Sequence, residues 1–129
     1  MKQHDMIHIR LCKLNRWDAF LALLLGISSL TLYIRTLAPG LLYGDSGELQ
    51  MLAYTLGMSH PTGYPVYILL ARLFTLLPFG DQTWRVNLFS AVSGGLTVVC
   101  IYLSVCILTG RRLAAVLSAV TLMVSPLFW

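Results

Sequence analysis

Asp45 and Glu48 are the side chains in this sequence best suited to chemistry, three residues apart in the run Gly44-Asp45-Ser46-Gly47-Glu48. A carboxylate beside a glycine-flexible turn can act as a general base toward an acceptor hydroxyl, taking its proton as the oxygen attacks. The same spacing suits a helix start, with Asp45 as N-cap and Glu48 reaching back in a near capping box. The two readings are compatible, because a cap also fixes where a carboxylate stands. A second polar run follows in Met58-Ser59-His60-Pro61-Thr62-Gly63-Tyr64-Pro65. Its prolines push Ser59, His60 and Tyr64 toward extended backbone, and Gly63 is free to take a positive φ. Taken alone, His60 reads as a turn residue satisfied by backbone. Arg72 and Arg85 read as anchors at a membrane surface, or as partners for a lipid-linked phosphate. Asn87 reads as a polar residue at membrane depth that bonds a neighbouring helix.

The elements that must hold these groups are membrane helices. Of 129 residues 57% are apolar and 11% charged, against ~45–50% and ~25% in soluble domains. Mean hydropathy is +0.77. Nine basic and five acidic residues cannot cover a soluble surface, and the apolar content excludes disorder. The +4 net charge does not point to nucleic acid, because Lys2, Arg10, Lys13 and Arg16 cluster at the start and the rest are dispersed. Cys12, Cys100 and Cys106 form no disulfide framework or zinc spacing. His4 and His8 lie four apart with no further ligand nearby, so no metal is assigned to them.

A bilayer core of ~30 Å needs about 20 apolar helical residues. Residues 17–35 supply a first span, with Trp17 as interface anchor and Asp18 and Arg35 snorkelling from its ends. Residues 86–110 form a second span and 113–129 a third, across a turn at 111–112. Thr36-Leu37-Ala38 faintly resembles a signal cleavage site. Pro39 would follow the cut, however, and further spans come later, so the first span reads as an uncleaved anchor. Basic residues before the first span and at Arg111-Arg112 place residues 1–16 and that turn in the cytoplasm, with 36–85 outside. In that loop Leu49, Leu52, Ala53 and Leu56 recur at helical spacing, as do Val66, Leu69, Leu70, Leu73 and Leu77. Short amphipathic helices are expected at 46–56 and 65–77, punctuated by Gly57, Pro65 and Pro78. Ser90/Gly94 and Ala91/Gly95 are small pairs that let helices approach closely. The expected fold class is thus an all-α integral membrane protein with three transmembrane and two interfacial helices.

The words Gly44-Asp45-Ser46-Gly47-Glu48, His60-Pro61-Thr62-Gly63-Tyr64-Pro65 and Trp84-Arg85-Val86-Asn87-Leu88-Phe89-Ser90-Ala91 go further. In this order and spacing, they resemble the N-terminal region of a protein O-mannosyltransferase-like membrane family related to GT-C glycosyltransferases. The resemblance covers residues 32–129. Thr62, where the family often has a second proline, is a mild departure. It implies an inverting enzyme that moves a sugar, such as mannose, from a polyprenyl-phosphate carrier to a hydroxyl. By that resemblance Asp45 is the catalytic base, Glu48 assists or positions the acceptor, and His60 and Tyr64 line the site. Arg72, Arg85 and Asn87 complete the expected substrate-binding set. No cofactor and no metal are called for, since the lipid-linked sugar is a substrate. Implied partners are membrane lipid, the polyprenyl-phosphate sugar donor and further C-terminal transmembrane helices, with no nucleic acid. GT-C cores need more than three spans, so the chain reads as an N-terminal fragment, inactive alone, with a bacterial inner membrane favoured over endoplasmic reticulum. The alternatives are a transporter fragment, which would carry its ionisable groups inside the spans, and a small accessory membrane protein.

Overall fold

The computed structural model describes residues 14–61 and 63–129. His4, His8, Cys12, Thr62 and most of the basic start lie outside the described residues. All regular structure among the described residues is helical: α1 (Arg16–Arg35), α2 (Asp45–Thr55), α3 (Pro65–Thr75), α4 (Gln82–Thr109) and α5 (Arg112–Met123). Two of these, α1 and α4, are long and apolar enough to cross a membrane. The third expected span is shorter than the sequence suggests. α5 has 12 residues, roughly 18 Å at 1.5 Å per residue, and it ends just before Ser125-Pro126.

On α1 the buried residues are Asp18, Ala22, Leu25, Ser29 and Tyr33; on α4 they include Val86, Asn87 and Leu88 near its start and then Ala91, Val98, Tyr102 and Cys106. Phe20, Leu23, Leu24 and Ile27 of α1 stay exposed. Such a surface suits lipid, where apolar side chains lose nothing by facing outward.

The chain forms two compact units. One joins residues 1–29 to 95–129 and the other is 30–94. In the first, the start of α1 departs from expectation. Asp18 does not snorkel: its side chain is fully buried and takes two bonds from Arg112 of α5, Nε at 2.6 Å and Nη2 at 3.2 Å. The Tyr102 hydroxyl donates to the same carboxylate at 3.4 Å. Asp18 Oδ2 accepts from the Asn15 backbone N–H, while Asn15 Oδ1 accepts from the N–H groups of Trp17 and Asp18. This is a reciprocal cap, so a carboxylate expected to reach for water is recruited to end a helix and pair with an arginine. Gly26 permits close packing in this unit, since a Cβ there would stand 2.9 Å from the Val99 side chain.

In the second unit, α2 and α3 pack through small residues. Ala53, Ala71 and Val86 form the buried core, flanked by Tyr67 and Phe89. The rings of Tyr67 and Phe74 each meet Phe89, at 5.2 and 5.3 Å between centroids. The leucine-rich faces, expected to pack on a helical bundle or on lipid, point outward. Gln50 and Ala53 are buried on α2, and Ile68, Ala71 and Thr75 on α3, whereas Leu56, Val66, Leu69, Leu70 and Leu73 are exposed. Alanines bring two helix backbones closer than leucines allow, and the leucines remain for an apolar surrounding.

Candidate functional site

The site begins with how α2 starts. Gly44, at φ 68°, is the N-cap, so Asp45 is the first helical residue and makes no capping bond. The backbone N–H groups of Gly47 and Glu48 both donate to the Gly44 carbonyl. The expected capping box at Asp45 and Glu48 is therefore absent. The positive φ that only glycine adopts freely moves the helix start back by one residue, and both carboxylates are released from capping. They stand in the first turn, where the helix dipole favours negative charge. Gly47 is needed for another reason: a Cβ there would collide with the Leu42 carbonyl oxygen.

Glu48 reaches across to the second polar run. Its Oε1 accepts from the Ser59 hydroxyl and the His60 backbone N–H, both at 3.1 Å, and its Oε2 lies 2.9 Å from His60 Nδ1. These bonds, the His60 imidazole foremost, hold the Glu48 carboxyl below its ordinary range. The ligand-type atoms of Asp45, Glu48 and His60 all lie within 4.8 Å of one another. Among the described residues the Asp45 carboxylate has no hydrogen-bond or ion-pair partner. Tyr64 stands edge-on to His60, with ring centroids 6.3 Å apart. It also departs from the extended backbone expected before proline. It takes the left-handed region at φ 38° and caps α3, with Pro65 in the first turn. Gly63 beside it has φ 77°, as its position suggests. Two successive left-handed residues turn the chain into α3.

The structure brings Asp45, Glu48, His60 and Tyr64 together, and it occupies Arg72, Arg85 and Asn87 elsewhere. Arg72 donates to the Tyr54 carbonyl at 2.5 Å and lies over the Tyr54 ring. Arg85 donates to the carbonyls of Thr75, Phe79 and Gly80, closing the turn between α3 and α4. Asn87 donates to the Ala38 carbonyl and accepts from Gln50, whose own carbonyl accepts from the Leu42 N–H. Gln50 and Ser59 are the site residues that sequence reasoning missed. Gln50 was legible as a polar residue two positions past Glu48, between Leu49 and Met51. It tethers the segment leading into Gly44, and so aims the carboxylates.

A groove of about 550 Å³ opens beside this cluster, lined by Leu56, Met58, Ser59, Pro65, Ile68 and Leu69 among others. Ser59 belongs to both the groove and the Glu48 network.

Residues 45–129 match the family model described as the protein O-mannosyl-transferase TMEM260 N-terminal domain. The chain belongs to this family. It is 41% identical over 95 residues to protein O-mannosyl-transferase TMEM260 of Mus musculus, covering 73% of this chain and 14% of that protein. It is 33% identical over 109 residues to protein O-mannosyl-transferase tmem260 of Dictyostelium discoideum, covering 82% and 13%. The chain thus spans about one seventh of the length of these curated relatives. No solved structure matches it. The TMEM260-type match begins at Asp45 itself, so the carboxylate cluster lies within the matched region.

Proposed function

We propose that this chain forms the N-terminal part of an inverting, GT-C-type mannosyltransferase that transfers mannose from a polyprenyl-phosphate carrier to a hydroxyl of a protein acceptor. The observation that carries this reading is the convergence of Asp45, Glu48 and His60 at the start of α2, in a family whose relatives are named protein O-mannosyl-transferases. Asp45 takes the acceptor proton while the acceptor oxygen bonds to the anomeric carbon. The bond from that carbon to the phosphate oxygen breaks on the opposite face, and polyprenyl phosphate leaves with the electron pair. Glu48 holds His60 and the 57–65 turn in place, and His60 and Tyr64 line the sugar's position. The adjoining groove, apolar along most of its wall, suits the first isoprene units of the carrier. Arg72, Arg85 and Asn87 serve by holding the loop that presents these groups.

In this reading α1 and α4 cross the membrane, a third crossing includes α5, and residues 36–85 face away from the cytoplasm. Met58 is almost fully exposed, so Met58→Cys in a background without native cysteines should react with an impermeant maleimide only from the non-cytoplasmic side. Labelling only from the cytoplasm would reverse the topology.

The donor is tested with the full-length protein in proteoliposomes and a hydroxyl-bearing acceptor polypeptide. Polyprenyl-phosphate mannose should support transfer, and a nucleoside-diphosphate mannose alone should not. Equal transfer from the nucleotide sugar, with no lipid carrier present, would sink the donor assignment.

A further inference from the structure

We infer that the end of the first unit formed by residues 14–18 and 109–113 is a docking surface for anionic phospholipid headgroups, with Arg16 and Arg111 as the phosphate-binding residues. The distribution of charge is the first observation. The unit of residues 1–29 and 95–129 holds Lys2, Arg10, Lys13, Arg16, Arg111 and Arg112 against Asp5 and Asp18, and so carries the whole +4 of the chain. In residues 30–94 three basic and three acidic side chains cancel. All the charge of the first unit falls within residues 1–18 and 111–112, and the rest of the unit is uncharged. Asp18 is the one acid among its described residues, and it is buried against Arg112. Arg16 lies two residues before Asp18 and Arg111 directly before Arg112, so the buried pair brings both cations to one end of the unit. Both are exposed, and neither side chain has a hydrogen-bond or ion-pair partner among the described residues.

What lies beside these cations selects the partner. Arg16, Phe20, Leu23, Leu24 and Ile27 follow the spacing of a single helix face, and all are exposed on α1. Arg16 thus ends the same apolar stripe that suits lipid chains. On α5, Leu113 and Leu117 are exposed just beyond Arg111, and Trp17 is 69% exposed beside Arg16. Tryptophan is favoured at the headgroup level of a bilayer, and a guanidinium matches phosphate with paired hydrogen bonds. A soluble anion would meet the same charge but gain nothing from the apolar flank. The proposal rests on α1 crossing the membrane, and it does not depend on sugar transfer.

The test uses the full-length protein in nanodiscs holding equal amounts of phosphatidylserine and phosphatidylcholine. One lipid or the other carries a photoreactive group beside its headgroup, and adducts are mapped to Trp17 and Leu113. These adducts should favour phosphatidylserine, and the preference should fade in high salt. An anionic surface favours each nearby arginine by roughly fivefold, so Arg16→Gln and Arg111→Gln should each lower the ratio of the two adducts by about that factor. Glutamine suits a helix as well as arginine does, and neither position carries a bond that folding needs. Arg35→Gln, at the other end of α1, should leave the ratio unchanged. Equal labelling by the two lipids in the wild type, or an undiminished ratio in the double variant, overturns the surface. Displacement of the lipid by millimolar inorganic phosphate, or by polyglutamate, would assign the cations to a soluble anion or an acidic protein and overturn it too. Release of the protein from membranes by alkaline carbonate would overturn the crossing of α1, and this proposal with it. Labelling as expected without mannose transfer would leave the surface standing and count against the transferase reading.

Discussion

Asp45→Asn in the full-length protein should lower mannose transfer by roughly 10²–10⁴-fold, the usual contribution of a general base, with the protein still folded and inserted. The substitution is clean because Gly44, and not Asp45, caps α2, and because the Asp45 carboxylate carries no bond among the described residues. Asparagine keeps the size of the side chain and removes its basicity. Thermal stability should therefore be unchanged while turnover falls. Transfer within a few-fold of wild type, at matched expression and donor concentration, would remove Asp45 from the chemistry.

Arg112→Ala should reduce the amount of folded, inserted protein several-fold. The change strands a buried carboxylate, and removing one partner of a buried pair costs far more than the pair itself contributes. Asp18 would retain Asn15 and Tyr102 as hydrogen-bond partners but lose the charge that balances it. The Arg112 side chain is 46% exposed and Asp18 fully buried, so solvent screens the arginine end while the carboxylate end bears the loss. Adding Asp18→Asn to Arg112→Ala should recover most of the lost protein, because no charge is then left unpaired. Normal levels and melting temperature in the single variant would reduce the pair to a surface contact.

Helix punctuation and the polar words were legible in the sequence because they depend on local chemistry. Pro65 starts α3, as its fixed φ allows, and α2 and α3 fall within a residue or two of their expected bounds. The candidate-site residues Asp45, Glu48, His60 and Tyr64 were also legible, although their mutual bonds were not. Three positions show why. Leu69, Leu70 and Leu73 form a clear helical stripe that faces outward, while the small residues Ala53 and Ala71 make the buried core with Val86, and a stripe alone does not say which face meets protein. Gly44 displaced the expected cap: it holds φ 68° and its carbonyl accepts from the Gly47 and Glu48 N–H groups, a backbone choice that residue spacing does not reveal. Asp18 looked like a snorkelling end-residue because its partner, Arg112, lies 94 positions away, beyond the reach of any spacing rule.

That separation also sets an order of events during synthesis. At about 5–20 residues per second, a ribosome makes Arg112 roughly 5–20 s after Asp18. For that interval the carboxylate at the start of α1 has only its own helix cap, the translocation machinery and water to satisfy it. The charge balance at the start of the first helix is therefore completed only once α5 delivers the guanidinium.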